Sequence, residues 1–151
     1  MTETDTEQNY ILNLPFEPIP LYRTVRYFTI NNELLTDEIS LLFVLSESDL
    51  SEKSKTMIIK MANDLSLYLD HYSLMVIIPD QCELDINSLL NSGKAIRIIY
   101  FGKNLHALGG SSPDQWHRLS NISFINTSNL KTLANDKNKA IQYWKCVKQV
   151  F

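Results

Sequence analysis

The sequence lacks any long apolar run: no stretch approaches the ~20 residues that a membrane-crossing helix requires, so no membrane partner is expected. Its opening residues, Met1 to Gln8, are polar and acidic, where a secretory leader would be basic and then apolar. A cytoplasmic location is expected. Cysteine is nearly missing. Cys82 and Cys146 stand far apart without a second pair, which leaves neither a zinc framework nor a disulfide scaffold, and both are read as reduced thiols. Glycine is scarce, at four residues. None follows the apolar run Ser40 to Leu45, which ends in Ser46-Glu47-Ser48-Asp49, and a phosphate-cradling loop needs bare backbone rather than two carboxylates. No cofactor is expected. Positive charge is also in short supply: 14 Lys and Arg face 17 Asp and Glu, for a formal charge of -3. The field that draws nonspecific nucleic-acid binding is therefore absent.

What is present is the composition of one globular domain. With 44% hydrophobic and 21% charged residues over 151 positions, the chain should bury about 70% of its unfolded surface. Residues 1–9 have three acids and, after Met1, no hydrophobic side chain, so they cannot offset the entropy of being fixed and are expected to be a mobile tail. Tyr10 to Tyr22 crowds apolar residues among Pro15, Pro18 and Pro20, which forbids a long helix. Residues 1–21 are read as a flexible arm and 22–151 as a single α/β domain. Tyr22 to Ile30 is expected as an edge strand before an Asn31-Asn32 turn.

The middle of the chain alternates two patterns. Ser40 to Leu45, Ser73 to Ile78 and Ala95 to Phe101 are nearly continuous apolar runs, as in strands covered on both faces. Between the first two, Met57, Ile58, Met61, Leu65, Tyr68 and Leu69 recur at helical steps, predicting a helix from Ser51 to Leu69 capped by Asp49 or Ser51. Leu84, Ile86, Leu89 and Leu90 predict a short helix ended by Gly93. Strand, helix, strand, helix, strand demands parallel pairing. After Gly102 come a possible helical turn at Leu105 to Leu108, a loop, and a strand from Asn121 to Ile125. A last helix from Asn135 to Phe151 carries Ile141, Trp144, Val147 and Phe151 on one side.

Candidate chemistry gathers after the third strand, where open α/β sheets hold ligands. Gly102, His106, Gly109, Gly110, Ser111, Ser112, Asp114 and His117 lie there. An α/β hydrolase or glycosylase-like enzyme would use His106 and Asp114 beside Ser111 in the loop 102–117. No nucleophile elbow surrounds either serine, and a glycine loop with surface histidines is the preferred reading. His106 and His117 lack the i, i+4 spacing of a helical metal pair, and no metal is expected. Trp116 and Tyr100 lack the clustered basic residues of a single-strand platform; Trp116 is read as a lid on the core.

The closing segment, SNLKTLANDKNKAIQYWKCVKQVF, with Leu130, Leu133, Asn135, Lys139, Trp144 and Val147, resembles that of the psi subunits of bacterial DNA polymerase III holoenzyme, where a leucine-containing turn leads into a helix bearing one Trp. The leading NYILNLPFEPIPLYR resembles the start of psi, and SLLFVLSES falls where psi has its first core strand. The similarity extends over most of the chain as element order. It departs in the arm, which has Phe16 and Tyr22 where a Trp is usual and three prolines. The resemblance implies a three-layer α/β/α sandwich of uracil-DNA glycosylase shape, with a mainly parallel sheet of about four strands and a C-terminal helix. It implies no glycosylase chemistry: the Gly-Gln-Asp-Pro-Tyr motif is absent, and Gly110-Ser111-Ser112-Pro113 lacks the histidine of the His-Pro-Ser-Pro loop. It further implies a noncatalytic adaptor in DNA replication that bridges chi, which contacts single-strand-binding protein, to the gamma/tau core of the clamp loader. Tyr10, Ile11, Leu12, Leu14 and Phe16 are the expected partner contacts, with Glu17 and Arg23 at the rim.

Overall fold

The computed structural model describes residues 26–102 and 114–151. The expected arm, Tyr22 to Val25, and the segment from 103 to 113 lie outside the described residues. The described chain is mixed α/β, with the strands β1 (Arg26–Phe28), β2 (Leu41–Ser46), β3 (Ser73–Ile78), β4 (Cys82–Leu84), β5 (Ile96–Phe101), β6 (Trp116–Leu119) and β7 (Ile122–Thr127). Its helices are α1 (Glu52–Asp64), α2 (Asn87–Ser92), α3 (Leu130–Asn135) and α4 (Lys137–Val147). The main sheet has five strands in the order β3-β2-β5-β7-β6, parallel except where β6 meets β7.

The apolar runs are strands for the reason their composition suggests. Leu41 to Leu45 are all buried, Leu42 and Val44 toward one core and Leu41, Phe43 and Leu45 toward the other. Each large apolar side chain so covered stabilises the fold by about 1.5–3 kcal/mol relative to exposure. One face of the sheet packs on α1, α3 and α4, through Ile58, Met61, Leu130, Leu133, Tyr143 and Val147. The other face is covered by β1, β4, α2 and the segment through Ile30 and Ile39.

Several boundaries differ from expectation. β1 is a short strand paired in parallel with β4 in a separate two-stranded sheet, so it is no edge of the main sheet, and Leu84 belongs to β4 rather than to the helix after it. Helix α1 ends at Asp64, short of Leu69: Ser66 turns left-handed at φ +58. Its amide then reaches the Asn63 carbonyl while that of Leu67 reaches Ala62, the Schellman arrangement that stops a helix. Strand β6 begins at Trp116, where loop was expected. Its indole donates to the Cys146 carbonyl at 2.8 Å, which fits a lid on the core. In the last segment α3 and α4 are separate helices, with Asp136 capping the second by accepting from the Lys139 amide. The inner stripe of α4 is Tyr143, Cys146 and Val147, whereas Ile141 is 47% exposed. Phe151 lies beyond the helix, under the Arg97 guanidinium at 4.1 Å. The expected stripe of Ile141, Trp144, Val147 and Phe151 is thus rotated, because Tyr143 fits the gap beside Phe101 and Met61.

Candidate functional site

In this topology β2 connects outward to β3, and the chain then returns across β2 to β5. The crevice between the carboxyl ends of β2 and β5 is the switch point where such sheets receive ligands. Of the two segments that follow these strands, Ser46 to Ser51 after β2 and residues 103–113 after β5, only the first is among the described residues. In the first, Ser48 donates its backbone amide to Asp80 Oδ1 at 3.0 Å, and Ser46 and Ser48 share a hydroxyl contact at 3.2 Å. Ser51, rather than Asp49, caps α1, accepting from the Ser54 amide at 3.0 Å.

Asp49 has another task. Its side chain is buried, and its two oxygens accept from the Leu130 amide at 2.7 Å and the Lys131 amide at 3.1 Å. A carboxylate at a helix start satisfies amides that have no partner within the helix and meets the positive end of its dipole. Here that helix is the short α3, so the chain's own acid takes the amides. Asn129 adds a cap from its side chain to Thr132 at 2.8 Å. Gly102, at φ +80, lies so close that an added Cβ would stand 2.9 Å from the Asn129 Cβ. Among the described residues, Asp49, Gly102 and Asn129 thus tie the ends of β2, β5 and β7 together.

The other candidate residues divide. Asp114 is held to β7: its amide donates to the Asn126 carbonyl at 2.7 Å and its Oδ1 accepts from Thr127 Oγ1 at 2.8 Å. His117 stacks on Phe124 at 5.3 Å between ring centres. Phe124 belongs to the core on the α2 face and Thr127, by strand alternation, to the face opposite. The sheet therefore separates Asp114 from His117. His106, Ser111, Ser112, Gly109 and Gly110 lie outside the described residues, as do Tyr10, Ile11, Leu12, Leu14, Phe16, Glu17 and Arg23. Among the described residues no three His, Cys, Asp or Glu side chains are placed to hold a metal. Cys82 and Cys146 are not joined in a disulfide; burial, with the nearby Asp114 charge, pushes the Cys146 thiol up from its ordinary value. Among the described residues no helix is long and apolar enough to cross a membrane.

Sequence reasoning placed Asp49 in a capping role but on the wrong helix. Its partners lie 81 and 82 positions away, and only the sheet order joins them. No protein-family model, curated protein or solved structure matches the chain.

Proposed function

We propose that the chain is a noncatalytic adaptor of the replicative DNA polymerase clamp loader, a psi-like subunit that bridges chi to the gamma/tau core. Through chi it is linked indirectly to single-strand-binding protein and DNA. On this reading the frame is a three-layer sandwich of glycosylase shape kept as a scaffold. The observation that carries the proposal is the Asp49 carboxylate, which accepts from the first amides of α3 and so ties the end of β2 to the segment after β7, making Ser46-Glu47-Ser48-Asp49 a structural turn rather than a phosphate-binding one. The α3–α4 pair supports it as well. Leu130 and Leu133, on which the resemblance rests, are buried, and Trp144 packs partly against the same core.

The handle is the apolar set Tyr10, Ile11, Leu12, Leu14 and Phe16. Burial of five such side chains at about 1.5–3 kcal/mol each, less the entropy of ordering them, is enough for a micromolar complex. Pull-downs with purified chi and the gamma collar test this, using the full chain and a variant with Ile11→Asp, Leu12→Asp and Leu14→Asp. The intact chain should retain both partners, and the variant should lose the collar while keeping chi. Binding of neither partner by the intact chain would remove the proposal. The rival hydrolase or glycosylase reading requires activity on esters or uracil-containing DNA that His106→Ala abolishes.

A further inference from the structure

We propose that the groove between α1 and α4 is a second docking site, which takes an acidic protein segment bearing one apolar anchor. It does not rest on the clamp-loader reading. Charge is distributed very unevenly across the sheet. Residues 52–64 and 130–148, which form the helical layer, carry eight lysines against three acids. Residues 26–40 and 80–95, which cover the opposite face, carry two basic residues against six acids. A chain with a small net negative charge therefore presents one strongly positive side, and such a field steers acidic partners. Lys131, Lys137, Lys139, Lys145 and Lys148 are all exposed. The ion pairs of the described residues, Lys55 with Glu52 and Lys60 with Asp64, engage none of those five.

Within this positive layer lies a mainly apolar cleft of about 120 Å³, walled by Met57, Met61, Leu133, Ala140, Tyr143 and Trp144. An engineered cavity of ~150 Å³ accepts a benzene ring, so this cleft suits one leucine or phenylalanine side chain. Exposed Ile141 extends the apolar strip along α4. Lys60 stands at the rim paired with Asp64 at 3.5 Å, so the positive charge left unpaired there among the described residues comes from α4 and its C-cap Lys148, whose ammonium lies 5.4 Å from the centre of the Trp144 ring. A buried apolar anchor inside a rim of opposite charge is the anatomy of a specific protein contact. Single-stranded nucleic acid fits less well. Trp144 is packed against Tyr143 at 5.7 Å and covered by Lys148, so its ring is not an open stacking platform, and the layer has no arginine.

The test uses the full chain, isotope-labelled, and a fluorescein-labelled, amidated octapeptide, Glu-Asp-Glu-Leu-Phe-Asp-Glu-Asp. Comparison probes replace its acids with lysine or its Leu-Phe pair with Gly-Gly, and a short oligo-dT strand serves as the nucleic-acid probe. The acidic peptide should bind saturably and shift the resonances of Met61, Ala140 and Trp144. Ala140→Trp, which fills the cleft without changing its charge, and the exposed pair Lys137→Glu with Lys148→Glu should each weaken binding about tenfold, as expected when roughly 1.4 kcal/mol of contact is lost. Circular dichroism checks that each variant is folded; the surface charge pair decides the matter if Ala140→Trp unfolds. Absence of saturable shifts, or equal binding by the lysine or Gly-Gly peptide, would overturn the proposal. Tighter binding of oligo-dT with the same shifts would overturn it in favour of nucleic acid. Overhauser contacts from Trp144 to Tyr10 through Phe16 in the unliganded chain would overturn it in favour of the chain's own leading segment.

Discussion

Asp49 shows how one side chain can join segments that are distant in sequence. Buried and accepting from two main-chain amides, it stabilises the start of α3. Asp49→Ala leaves those amides without a partner, and the expected cost is about 1–3 kcal/mol, with a smaller loss for Asp49→Asn. Urea unfolding should show a lower midpoint at unchanged slope. The buried tyrosines make a second prediction at this scale. Burial pushes the Tyr100 hydroxyl up to about 12 from an ordinary 10.0 and drives Tyr143 in the same direction. A group that holds its proton more tightly when folded contributes fully below its unfolded pKa and loses that contribution as pH rises through its folded one. Stability should therefore fall from about pH 10 upward. Tyr100→Phe should remove part of that fall between pH 10 and about 12, read by unfolding curves at successive pH values.

At the scale of elements, the ends of helices and strands are set by a few backbone positions. Ser66 closes α1 at φ +58 and is exposed, a position where glycine costs less. Ser66→Gly should raise stability by up to about 1 kcal/mol. Gly102 is the opposite case, since a side chain at φ +80 would also collide with Asn129. Gly102→Ala should cost about 2 kcal/mol or more, and thermal melts of the two variants should move in opposite directions. The same elements show what can be read in advance. β2, β3 and β5 are legible because a strand covered on both faces must be a continuous apolar run. β4 and β6 are not, because Cys82-Glu83 and His117-Arg118 are partly or fully exposed and strands this short carry no period. The end of α1 is hidden because Leu65 and Leu69 pack against the core after the helix has stopped, prolonging its apolar spacing. The partners of Asp49 and the separation of Asp114 from His117 follow from strand order, which no local pattern encodes.

At the scale of the molecule, the described residues form a scaffold in which Asp49 ties the turn after β2 to α3 and lysines gather on the helical layer. The charge contrast between its two layers, the apolar cleft beside Trp144 and the apolar leading segment all suit a protein that is held by others. The proposed association through the leading segment would be hydrophobic and should persist at raised salt, whereas an acidic partner in the α1–α4 cleft should be released by it. Native mass spectrometry of the full chain mixed with chi and the gamma collar tests the central claim most directly. The account predicts a ternary complex containing one copy of this chain, from which the collar, and only the collar, is lost when Ile11, Leu12 and Leu14 are changed to Asp. Spectra holding only the free components at micromolar concentrations would contradict it.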